Sequence, residues 1–158
     1  MTVLMPMRPA TYARYLAAAI ASYAEDNVAA GRWSKAGASE GSETEFAELL
    51  TLGLATPDNY LYEIQDREGG PLVGFVWLAI ERTPVGVTGF IYDLEIRPEY
   101  RRQGHASRAL SAVEVTATAQ GATSLGLHVF AFNEAAQALY RRLGFQVASL
   151  SLRKALGS

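Results

Sequence analysis

The chain has 158 residues, with 14 basic and 16 acidic side chains, two His and no Cys. A hydrophobic share of 49% against 19% charged is that of a folded chain with a full core, read as one domain over residues 1–158. The missing Cys excludes disulfides, thiolate nucleophiles and Cys-bound metal, and a net charge of −2 argues against a nucleic-acid coat.

Residues 9–30 read as a helix, because Tyr12, Tyr15, Leu16, Ala19, Ile20 and Tyr23 recur at helical spacing. The apolar stretch Tyr15 to Tyr23 lacks a convincing cleavage site and falls short of the roughly 18 apolar residues of a membrane span. The expected location is therefore the cytoplasm, with no membrane partner. Residues 32–41 read as a Gly- and Ser-rich loop. A second helix is expected from Ser42, which stands at capping-box spacing from Glu45, and it stops at Thr56-Pro57.

Three strands follow, Tyr60 to Gln65, Leu72 to Ile80 and Thr88 to Ile96, joined by the turns Asp66 to Pro71 and Thr83 to Gly86. They predict an antiparallel meander. In the third, Phe90, Tyr92, Leu94 and Ile96 alternate against Ile91, Asp93 and Glu95. The pattern then changes. A helix from Ala106 to about Gly121, a strand at Ser124 to Phe132, a short helix from Asn133 to Leu143 and a last strand at Phe145 to Leu152 complete the chain. A strand–helix–strand unit implies parallel pairing of 88–96 with 124–132.

The loop Arg97 to Ala106 lies between a strand and a helix. The first amides of that helix have no intrahelical partner, the helix dipole is positive there, and a diphosphate fits such a place. Gly104 lets backbone approach a ligand closely, and Arg97, Arg101, Arg102 and Arg108 concentrate positive charge. By itself the loop is equally an ordinary basic turn. It is neither a Walker A loop nor the three-glycine dinucleotide pattern. Arg101-Arg102-Gln103-Gly104-His105-Ala106 does match Gln/Arg-x-x-Gly-x-Gly/Ala.

With that pattern, the chain resembles the GCN5-related N-acetyltransferases (GNAT superfamily). Ile91 to Ile96 is similar to the family strand before the loop. Leu127-x-Val129, Asn133, Ala136, Leu139-Tyr140 and Gly144-Phe145 are similar to its second signature. The resemblance covers about 60–155. It implies an α/β fold with a mixed central sheet, helices on both faces and a splay between two parallel strands. It implies acetyl-CoA as co-substrate, held by main-chain groups of Leu94, Glu95 and Ile96, by amides of Gln103, Gly104, His105 and Ala106, and by the flanking Arg101, Arg102 and Ser107. Asn133, Ala136 and Tyr140 would line the pantetheine and thioester end.

Some positions carry two readings. Asn133 is a helix N-cap by propensity and a pantetheine partner by resemblance, and its amide can serve both. Tyr140 is core packing by its stripe and, by resemblance, the general acid that protonates the leaving thiolate. For the base, Glu95 shares a strand face with Asp93, and two neighbouring carboxylates raise one another's pKa. His128 is the rival, with a pKa near 6.5 in its unperturbed form. His105 reads as a spectator, and two isolated His make no metal site.

The acceptor would be an amine: a peptide N-terminus, a lysine or a small molecule. Its walls would be the 31–45 segment with Trp33 and the turn at 83–87. Phe145 to Lys154 leaves little room for a closing hairpin, so the acceptor side is either open or completed by a second subunit, as in a homodimer. The competing function is a non-catalytic acyl-CoA-binding module on the same fold.

Overall fold

A computed structural model describes residues 1–157. Its sheet has five strands in the order β1-β2-β3-β4-β5. β1 (Val3–Pro6), β2 (Asn59–Gln65), β3 (Leu72–Thr83) and β4 (Gly86–Ile96) pair antiparallel in turn, and β5 (Leu125–Leu127) joins β4 in parallel. The helices are α1 (Pro9–Ala29), α2 (Ala38–Leu49), α3 (His105–Ala119) and α4 (Glu134–Arg142). The expected meander and the parallel strand–helix–strand unit are both present.

Alternation along β3 sets the two layers. Val76, Leu78 and Ile80 face α3, where Ala109, Leu110, Val113 and Ala117 complete a buried cluster. Trp77 faces α1 and α2 and packs with Tyr15, Phe46 and Leu50. Helices thus cover both faces. Burial of each large aliphatic side chain contributes about 1.5–3 kcal/mol, enough to hold every strand in register.

The structure departs from the sequence expectations in four places. β1 is an added strand, too short to read as a pattern. It is anchored at its end by Glu63, which is 1% exposed and accepts from the Arg8 amide and guanidinium at 3.0–3.1 Å. α2 starts at Ala38, so Ser42 is not its cap. Ser42 is buried inside the helix, and its hydroxyl donates to the Ile20 carbonyl at 2.7 Å, tying α2 to α1. The strand expected over 124–132 is in the ladder only at Leu125–Leu127. Residues 145–152, expected as a last strand, form none, and no strand among the described residues pairs with them.

A bulge decides how β4 is presented. Trp77 pairs with Asp93 but Leu78 pairs with Ile91, so Tyr92 is the extra residue. Tyr92 and Asp93 both turn toward the α1–α2 side, where Tyr92 stacks on Trp77 at 4.6 Å and Asp93 meets Tyr15. Ile91, Leu94 and Ile96 pack toward α3. Strict alternation would have kept Ile91 on the face of Asp93 and Glu95. The one-residue slip separates them. No helix among the described residues is long and apolar enough to cross a membrane.

Candidate active site

β4 follows β3 as far as Ile96 but follows β5 only over Gly89–Ile91. Beyond that point β4 and β5 diverge. The stretch Tyr92–Ile96, which includes Leu94, Glu95 and Ile96, keeps one edge with no strand beside it. Backbone groups on such an edge require partners, and an extended amide-bearing ligand can supply them. One is already in use: the Ile96 carbonyl accepts from Arg101 Nε at 2.9 Å. Gly74 on β3 is needed for this path, because a Cβ there would collide with the Glu95 carbonyl.

The Arg-rich loop turns below the divergence. Pro98–Tyr100 makes a single 3-10 turn, Arg102 has φ 63°, and Gly104 caps α3 with φ 82°. Both left-handed residues bend the chain so that α3 starts abruptly, with the amides of His105, Ala106 and Ser107 as its first, unpaired donors. A Cβ on Gly104 would stand 2.6 Å from Arg108 Nη1. Arg108 is a brace: it donates to the Gln103 carbonyl and to Thr2 Oγ1, each at 2.8 Å. His105 is 3% exposed, lies 3.0 Å from the same Thr2 hydroxyl through Nδ1, and meets the Tyr100 ring edge-on. This contact ties the residue before β1 to the loop. These features fit a diphosphate: free amides at a helix start, a glycine close approach, and exposed Arg101 and Arg102.

Asn133 is the N-cap of α4, accepting from the Ala136 amide at 3.2 Å, which leaves its NH2 group free. Tyr140 lies on α4, partly buried against the α3 layer and edge-on to Phe145 at 5.6 Å. Burial raises the Tyr140 phenol, and the charge of Asp93 raises it further.

Asp93 is the centre of the site's electrostatics. It accepts from the Tyr15 hydroxyl at 2.7 Å. Burial pushes its carboxyl up to about 6; the Tyr15 hydrogen bond opposes this and the charge of Glu95 adds to it. Tyr15 is 3% exposed, and burial first, then Asp93, holds its phenol well above the usual range. The fold therefore gathers Tyr15, Asp93, Glu95 and Tyr140 at one end of β4. Glu95 itself is exposed. His128 lies past the paired end of β5, exposed, with its ring edge-on to Phe130 at 4.9 Å.

Trp33, expected to wall the acceptor side, is partly buried. It lies under Arg32 at 4.8 Å and edge-on to Tyr23 at 5.6 Å, so its packing role is real. A cavity of about 230 Å3 opens among Arg32, Trp33, Ser34, Gly37 and Gly41. The turn at 83–87 cannot wall the site. It stands at the other end of β4, beside the C-terminal end of α3, where Arg82 Nη2 donates to Gln120 at 3.1 Å. The residue that sequence reasoning missed is Tyr15. Its phenol is one of three in the helical stripe, with Tyr12 and Tyr23, and the spacing alone does not say which of these polar tips is buried and must find a partner.

Comparison with known proteins adds to this geometry. The family model "Acetyltransferase (GNAT) family" matches residues 27–145. The uncharacterized N-acetyltransferase YycN of Bacillus subtilis (strain 168) is 36% identical over 157 residues, 99% of this chain and 100% of that one. A second B. subtilis protein, the uncharacterized N-acetyltransferase YdgE, is 30% identical over 87% of each chain. The crystal structure of B. subtilis YycN superposes with a TM-score of 0.93 at 35% identity, covering 100% of both chains.

Proposed function

This chain belongs to the acetyltransferase (GNAT) family, and from that premise we propose that it moves an acetyl group from acetyl-CoA directly to a primary amine, with Asp93 as proton acceptor and Tyr140 as proton donor. When bound, acetyl-CoA supplies an acetyl group activated by a thiol leaving group. The residues that would hold it are the open edge at Leu94, Glu95 and Ile96, the amides from Gln103 to Ser107 with Arg101 and Arg102 beside them, and Asn133, Ala136 and Tyr140 on α4.

The observation that carries the reading is the Tyr15–Asp93 hydrogen bond of 2.7 Å on β4 just past its last pairing with β5, with Tyr140 on α4 near enough for the Asp93 charge to raise its phenol. An amine is mostly protonated near neutral pH and must lose a proton to attack. A carboxylate titrating at about 6 is a stronger base than an ordinary one, yet is still ionised at pH 7. Asp93 takes that proton, Tyr15 keeps Asp93 oriented, and the amine nitrogen forms a bond to the acyl carbon as the carbon–sulfur bond breaks. Tyr140 gives its proton to the departing sulfur and is reprotonated, through water, by the second proton that the attacking nitrogen sheds as it becomes an amide, while Asp93 passes the first proton to solvent. We place Asp93 ahead of Glu95 and His128 because both of those are exposed, whereas Asp93 is partly buried and oriented by the Tyr15 hydroxyl. Glu95 contributes its charge to Asp93.

Free thiol release, followed with acetyl-CoA against a panel of peptide N-termini, lysine and small amines, tests the proposal. Amine-dependent release on at least one class is expected. Acetyl-CoA binding with no release on any would favour the acyl-CoA-binding module.

A further inference from the structure

The bulge in β4 turns both Tyr92 and Asp93 to the α1–α2 side, and acetyl transfer employs only Asp93. Tyr92 is left over. Its ring is backed by Trp77, stacked at 4.6 Å with the planes 30° apart, and Phe90 meets it edge-on at 4.8 Å. Neither Tyr92 nor Phe90 enters the buried cluster beneath α1 and α2, and Tyr92 is 36% exposed. The fold thus holds an aromatic ring rigidly from behind and leaves the rest of it open, one residue from the carboxylate that takes the amine proton.

The charges around this ring have one sign. Burial, then the charge of Glu81 on β3, raises the Tyr92 phenol. Asp26 is partly buried about three turns beyond Tyr15 on the same face of α1, and its charge adds to burial and to Glu95 in raising Asp93. Among the described residues, none of Asp26, Glu81, Asp93 and Glu95 has a basic partner at ion-pair distance. Arg97, which follows β4, leans over Phe75 at 5.9 Å instead. The face of an aromatic ring is negative and its surface is apolar, so it accepts an ammonium group and the methylenes that carry it. A monoamine would spend its one charge at Asp93 and offer Tyr92 nothing but hydrocarbon.

We infer that the acceptor is an aliphatic diamine or longer polyamine, whose reacting nitrogen meets Asp93 while a second ammonium group lies over the ring of Tyr92. The reacting nitrogen must come within about 3 Å of Asp93, and a cation is held within about 6 Å of a ring centroid. The two charges then stand on the order of 6 Å apart, the span of four or five methylenes. Asp26 and Glu81 favour the second charge through the local field, without touching it. Tyr92 is thus a residue that sets acceptor specificity. The inference rests on the acetyl-transfer reading and names the acceptor class for that same site.

Matched acceptors test it, with thiol release from acetyl-CoA as the readout: 1,4-diaminobutane and 1,5-diaminopentane against butylamine and pentylamine. The unaltered protein should show kcat/KM about tenfold higher for a diamine than for the monoamine of equal length, and salt at about 0.5 M should shrink that ratio. Tyr92→Leu should raise the diamine KM about tenfold with a much smaller change in kcat, whereas Tyr92→Phe, which keeps the ring, should retain the preference. The comparison on the unaltered protein requires no variant, so it decides the matter even where Tyr92→Leu fails to fold. Equal kcat/KM for diamine and monoamine, a Tyr92→Leu loss that falls alike on both series, or a preference abolished by Tyr92→Phe would each overturn the inference and leave acetyl transfer standing. Thiol release with none of the amines would overturn both.

Discussion

Asp93 holds its proton to about pH 6 because the fold has taken it out of water and set Glu95 nearby, and this has consequences of opposite sign for rate and stability. For rate, kcat should fall on an acidic limb near pH 6, and Asp93→Asn should lower kcat and abolish that limb; an unchanged limb would remove Asp93 from the chemistry. For stability, the unfolded chain loses this proton near 4 and the folded chain near 6, so in that window the folded state binds more protons. Stability therefore declines as pH rises from about 4 to about 6, by on the order of 2 kcal/mol. Asp93→Asn should accordingly be the more stable protein at pH 8, measured by urea unfolding. Tyr140 gives a cleaner separation. Its ring packs without dependence on the hydroxyl, so Tyr140→Phe should leave acetyl-CoA affinity and stability near their starting values and lower kcat by about 10²–10⁴. Steady-state kinetics beside calorimetric titration would check both halves.

At the scale of elements, the site is made by three terminations in one place. β5 stops after Leu127, the bulge at Tyr92 re-aims β4, and Gly104 starts α3. The last of these depends on a single residue. Gly104 is the most exposed to test, since an L side chain at φ 82° costs about 1–2 kcal/mol and its Cβ would press on Arg108. Gly104→Ala should weaken acetyl-CoA binding more than it lowers global stability, because Arg108 would be driven from the Gln103 carbonyl and the loop would lose its brace. Isothermal titration and thermal unfolding of the same variant would show the difference. The Arg-rich loop and the Asn133–Tyr140 helix were both legible in the chain, because loop composition and helical spacing are local properties. The bulge was not, because it exists only when Trp77 and Leu78 on another strand count the residues opposite them.

For the whole molecule, the junction of β1 and α1 is secured by one buried acid. Burial pushes Glu63 up, but the hydrogen bonds from Arg8 outweigh it and its carboxyl ends below the usual range. The sign is the reverse of Asp93. The unfolded chain takes up this proton first as pH falls, so the pair's contribution is complete above the ordinary carboxylate range and is lost on acidification through the lowered folded value. Arg8→Ala, which leaves Glu63 buried without its cation, should lower stability at pH 7 and flatten the acid side of the stability profile. Chemical denaturation across pH 3–7 would register both.

Read from its residues alone, the chain determined the meander, the parallel strand–helix–strand unit, the phosphate-fitting loop and the phenol on the last helix. These follow from periodicity, turn chemistry and short motifs, which act over a few residues. Only the tertiary structure decided that Asp93 is the partly buried carboxylate at the end of β4, that Tyr15 from the first helix holds it, that Ser42 braces a helix pair, and where β4 and β5 part. Burial and register are properties of pairs distant in sequence, as with the 78 positions between Tyr15 and Asp93, and no local pattern encodes which partner the folded chain will bring.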